Sequence, residues 1–117
     1  MDKIRWTVPE MHPELLKKIF ESSLTGRGAR DLTSDGVEQL FKYTHDLPFR
    51  LQITEAHMIK PQSDQPMFEY SLSGPLPKTG KGLEADKLHA IEFFRKLNAK
   101  AQTEPYAMRY HVWFSGD

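Results

Sequence analysis

The chain contains no cysteine among its 117 residues. Thiol nucleophiles, disulfides, iron–sulfur ligation and cysteine-based zinc sites are therefore excluded. It also lacks any run of about 18 apolar residues, the length a membrane-spanning helix needs. The stretch MDKIRWTVPEMHPELLKKIF has no apolar core of the secretory type, and Asp2 stands where myristoylation requires glycine. A cytoplasmic protein with no membrane partner is the expectation. Charge of one sign is not in excess either: Lys+Arg 16 balance Asp+Glu 16, for a formal net charge of +0. That balance weakens any broad attraction to nucleic acid or anionic lipid, while leaving room for a local basic face.

Several catalytic signatures are missing as well. No H-E-x-x-H pair places two histidines on one helix face, and no G-x-S-x-G elbow presents a serine. The segment GPLPKTGKG (Gly74–Gly82) fails as a nucleotide-phosphate loop. Five residues separate Gly74 from Gly80, and Gly82 follows Lys81 where a magnesium-binding hydroxyl is required. The five histidines, His12, His45, His57, His89 and His111, are scattered along the chain. The residues therefore suggest no catalytic set, no cofactor and no metal-ligand set.

What is present is a globular pattern. Hydrophobic residues make up 38% and charged residues 27%, which suits a folded chain rather than a disordered one. The length fits one domain, spanning residues 1–117, by the usual range of roughly 100–200 residues. Lys3–Val8 alternates as a half-buried strand. Pro13 to about Leu24 carries Leu16, Ile19, Phe20 and Leu24 at helical spacing. Ser34 can cap a second helix bearing Val37, Leu40, Phe41 and Thr44, and Pro48 ends it. Phe49 to about Met58 and Met67–Leu72 read as a hairpin, the former with Phe49, Leu51 and Ile53 inward and Arg50, Gln52 and Thr54 outward. Leu83 to about Gln102 is the longest helix, with Leu88, Ile91, Phe94, Leu97 and Ala101 on its apolar side. Tyr106–Phe114 is the last strand. Thr25–Gly36, Lys60–Pro66 and Ser73–Gly82 read as loops.

The element order is then β-α-α-β-β-α-β: an α+β domain with an antiparallel sheet and helices packed on one face. Merging the two short helices gives βαββαβ, the ferredoxin-like order. The first six elements also resemble the order of a type I KH domain with an added strand. Such domains join their first two helices through a G-x-x-G loop. Here the corresponding TGRGAR (Thr25–Arg30) separates Gly26 from Gly28 by one residue, so the resemblance lies in element order and not in the motif.

Two surfaces could carry function. The open sheet face would show Lys3 and Arg5, Arg50 and Gln52, and Arg109, His111 and Trp113. The GRGAR loop adds Arg27 and Arg30, whose guanidinium groups could clamp an anion beside backbone N–H groups. Cations with an indole fit a protein interface, because Trp and Arg are enriched at interface centres. The expectation is a small non-enzymatic module acting by protein–protein contact, as an adaptor, inhibitor or immunity-type partner, with a homodimer as one form of it. Single-stranded nucleic acid stacked on Trp113 is the alternative. A small dimeric ferredoxin-like enzyme, with His111 or His57 as general base, is the third.

Overall fold

A computed structural model describes residues 12–59, 66–103 and 107–116, with 58, 59 and 66–75 described through their backbone. The first helix, α1, runs Pro13–Ser23. It begins at proline, which has no N–H to satisfy, and the Glu14 N–H donates to Nδ1 of His12 at 3.2 Å. Leu16 and Phe20, one turn apart, bury the inner side of this helix.

The next element departs from the sequence reading. Ala29–Leu32 forms a strand, β1, inside the stretch expected to be a loop. Its burial runs buried, exposed, exposed, buried. No period of two was there to be read. The reason is a register shift between Ala29 and Leu32 against their partners Val112 and Tyr110, with Asp31 at φ 59°. An extra residue in the left-handed region is how a bulge fits into an antiparallel pair, and Asp tolerates it.

Helix α2, Ser34–Thr44, is capped one residue earlier than expected. Thr33 Oγ1 accepts from the Gly36 N–H at 3.1 Å, and Ser34 is the first helical residue. Val37, Leu40, Phe41 and Thr44 are buried, as their spacing requires. At the other end of this helix, the Lys87 ammonium donates to the carbonyls of Thr44 and His45, both at 2.8 Å, and to that of Leu47. The carbonyls at a helix C-terminus carry partial negative charge, so a cation at this end is favoured.

Strands β2 (Arg50–Ile59) and β3 (Pro66–Pro75) pair antiparallel, as the hairpin reading expects. The turn between them lies outside the described residues. Helix α3, Leu83–Ala101, buries Ala90, Ile91, Phe94 and Ala101; Leu88, expected on the apolar side, is 47% exposed. Strand β4 runs Met108–Ser115. The sheet order is β1-β4-β2-β3, and all three pairings are antiparallel. β1 is therefore parallel to β2 with β4 between them, and β3 is parallel to β4 with β2 between them. Both crossovers, through α2 and α3, are split β-α-β units. The described elements spell βαββαβ after α1. The expected first strand, Lys3–Val8, lies outside the described residues. The direct helix–helix connection of the KH comparison is interrupted by β1.

The helices bury their apolar sides against one sheet face. Phe20 meets Phe114 at 6.1 Å between ring centroids, Phe41 meets Phe114 at 6.1 Å, and Phe94 meets Tyr110 at 5.0 Å. Leu51, Ala56, Val112 and Phe114 complete this core. Strand β2 changes face along its length. Leu51 pairs with Phe114 and Ile53 with Trp113, leaving Gln52 as an extra residue. Before this bulge the odd positions face the helices; after it the even ones do. Thr54 and Ala56 are thus fully buried, and Ile53, Glu55 and His57 turn to the opposite face. The expected assignment of Ile53 inward and Thr54 outward is corrected for this reason.

Candidate functional site

The side of the sheet away from the helices is organised by the two central strands, β2 and β4. On β4 the alternation puts Arg109, His111 and Trp113 there, as expected. On β2 the bulge brings Glu55 and His57 to the same side. Glu55 pairs with His111 and His57 with Arg109 across the ladder. Two histidines and a carboxylate therefore converge on adjacent strands in the middle of the sheet.

The two imidazole rings lie 4.5 Å apart, tilted by 46°. His57 is 6% exposed and His111 2%. Nε2 of His57 is 3.3 Å from Oε1 of Glu55, and Nε2 of His111 is 3.4 Å from Oδ1 of Asp31. The left-handed backbone at Asp31 belongs to the β1 bulge and lies beside His111. Burial holds the His111 pKa below its ordinary value, and the neighbouring His57 and Arg30 push it the same way, against the opposing pull of Asp31. A neutral imidazole at this position keeps a lone pair for a hydrogen bond or a metal. The donor atoms of Glu55, His57 and His111 all lie within 4.8 Å of one another.

The second cluster is the loop before β1. The Trp113 Nε1–H donates to the Gly26 carbonyl at 3.1 Å. Gly28, at φ 73°, lies so close to the indole that a Cβ there would be 2.6 Å from Trp113 Cε2. Glycine is required here twice, for its backbone angle and for its missing side chain. The loop is consequently fastened to the sheet face through Trp113, and Arg27 and Arg30 stand exposed at its surface.

Of the expected contact residues, Arg27, Arg30 and Gln52 are exposed, and Arg109 and Trp113 are half-buried. His111 is on the expected face but buried. Lys3 and Arg5 lie outside the described residues. Arg50 is not on the open face at all. It is 6% exposed, donates to the Leu76 carbonyl, and stands 3.7 Å from Asp86. Asp86 also accepts from the Thr79 N–H and hydroxyl, each at 2.7 Å. Those hydrogen bonds, with Arg50 beside them, hold its carboxyl below the ordinary range. Arg50 thus helps tie the 76–82 loop to α3. The residues that sequence reasoning missed are Glu55 and Asp31. The E-A-H spacing at 55–57 is a local signal, since i and i+2 share a strand face; its pairing with His111 depends on a register no local pattern encodes.

Comparison of the chain with protein-family models, with curated proteins and with solved structures finds no match.

Proposed function

We propose that the chain is a small cytoplasmic binding module that acts by protein–protein contact. Its contact surface is the loop 26–30 with the outer side of β4, and its partner is a protein surface of mixed charge, with carboxylates for Arg27 and Arg30 and basic side chains for Asp31 and Glu55. The observation that carries this reading is the Trp113–Gly26 hydrogen bond, with Gly28 seated against the indole. It makes one continuous surface of two regions far apart in sequence, with Arg27 and Arg30 exposed beside a half-buried indole and Arg109. Trp and Arg at the centre of a contact are the side chains that most often dominate binding energy. The carboxylates of Asp31 and Glu55, 66% and 36% exposed, share this side of the molecule. They favour a protein over a nucleic acid, because a phosphodiester backbone laid across the sheet would meet like charge.

The test is the charge-reversed variant R27E/R30E. Both positions are exposed, so its melting temperature should match wild type. Partner proteins cross-linked by wild type and identified by mass spectrometry should be lost from the variant; unchanged capture overturns the surface. A parallel titration with a mixed oligonucleotide, in a Trp6→Phe background so that Trp113 alone reports, should be flat. Quenching that reverses with salt replaces the protein reading with single-stranded nucleic-acid binding.

A further inference from the structure

We infer that Glu55, His57 and His111 form a binding site for a divalent first-row transition ion of the Zn2+ kind. The site shares Glu55 and the outer face of β4 with the contact reading, but neither Arg27 nor Arg30 takes part, so the two are tested by different variants. It rests on four observations. The donor types are two imidazole nitrogens and one carboxylate oxygen, a set that suits such ions and disfavours Ca2+ and Mg2+, which prefer all-oxygen shells. The donors are close: all three lie within 4.8 Å of one another. A tetrahedral ion with bonds of about 2.0–2.2 Å needs donor separations near 3.4 Å, and the His57–Glu55 separation is already 3.3 Å.

The third observation is rigidity. All three ligands sit on β2 and β4, the two inner strands of the sheet, and Glu55 and His111 are direct ladder partners. Ligands on paired strands keep their spacing better than ligands on loops. The fourth is burial: both imidazoles are almost wholly removed from solvent, whereas Glu55 remains partly open, giving an ion an entry path. Three protein ligands leave one tetrahedral position for water, the pattern of open rather than structural zinc sites. Asp31, 3.4 Å from Nε2 of His111, is the carboxylate nearest that imidazole on the β1 side.

The experiment uses the full chain, stripped with chelator, and titrates it with Zn2+ by calorimetry and with Co2+ by visible absorption. One ion per chain is expected, with the intense visible bands of four-coordinate Co2+. Histidine nitrogen chemical shifts should move at His57 and His111 and stay put at His12, His45 and His89. The isosteric Glu55→Gln and the His57→Gln variants should each weaken Zn2+ at least about tenfold. Folding of each variant is checked by its melting temperature without metal, so that lost binding is not mistaken for lost structure. Absent binding, shifts confined to the other three histidines, equal binding of Mg2+, or full affinity in both folded variants each overturn the site.

Discussion

His57 and His111 sit on neighbouring inner strands with their rings 4.5 Å apart, and each has a carboxylate within 3.4 Å of its Nε2, Glu55 for the first and Asp31 for the second. At His111 burial disfavours the charged ring, and the neighbouring His57 and Arg30 act in the same direction. In the folded protein His111 binds its proton only below the ordinary value of 6.5.

The pH dependence of stability follows. As pH falls, the unfolded chain takes up the His111 proton before the folded one does, so stability falls with it. The contribution is fully present above pH 6.5. It declines below that value until the lower folded-state pKa is passed. Urea unfolding in chelator at about pH 7.5 and about pH 5.5 should show the loss, and His111→Asn should reduce it. Asp31→Asn should enlarge it, since Asp31 is the group that pulls the His111 pKa upward. A wild-type midpoint independent of pH over this window would contradict the placement. The carboxyl of Asp86, also held low, acts in a separate and more acidic range, below its ordinary 3.8.

Gly28→Ala should be strongly destabilising. Alanine at φ 73° carries a left-handed penalty of about 1–2 kcal/mol, and its Cβ would lie 2.6 Å from the Trp113 ring. A combined loss of at least about 2 kcal/mol is expected, or about 8 °C in melting temperature for a domain this size. Gly26→Ala is the control, because a Cβ there meets nothing within 4 Å.

Thr54→Val should stabilise the protein. Thr54 is fully buried on the helix side of β2, and its hydroxyl has no hydrogen-bond partner among the described residues. Replacing the hydroxyl with a methyl of similar volume removes an unsatisfied polar group, a gain of ~1 kcal/mol. A denaturant midpoint that falls in the variant contradicts this.

Tyr110 should titrate well above the ordinary phenol value of 10.0. Its hydroxyl donates to Oδ1 of Asn98 at 2.6 Å, and burial pushes its pKa up to about 12. An alkaline ultraviolet titration of the folded protein should show a phenol ionisation near that value that disappears in Tyr110→Phe. The sign is opposite to that of His111: the folded pKa is raised, so this contribution holds below pH 10 and is lost as pH rises toward 12.

The helices were legible because their signals are local. Leu16 and Phe20, or Val37, Leu40 and Phe41, declare a helix face within two turns. The strand β4 was legible for the same reason, with Tyr110, Val112 and Phe114 alternating inward. The strand β1 was not, since its four residues contain a bulge and follow two glycines. Nor was the change of face in β2. Gln52 carries no mark of being an extra residue, and the bulge shows only in the pairing of Leu51 with Phe114 and of Ile53 with Trp113. That single insertion explains both the misplaced Thr54 and the unseen cluster, because it turns Glu55 and His57 toward His111. Arg50 was misread for a related reason: alternation points it outward, but its long side chain reaches Asp86 and the Leu76 carbonyl at the end of the strand.

Lys87 belongs to α3, yet its ammonium holds the carbonyls at the C-terminal end of α2. The last turn of α2 therefore cannot fray while α3 stays docked. In native-state hydrogen exchange, amides near Thr44 and amides near Ile91 should open in one cooperative event rather than two, and the two helices then behave as a single unit of local unfolding.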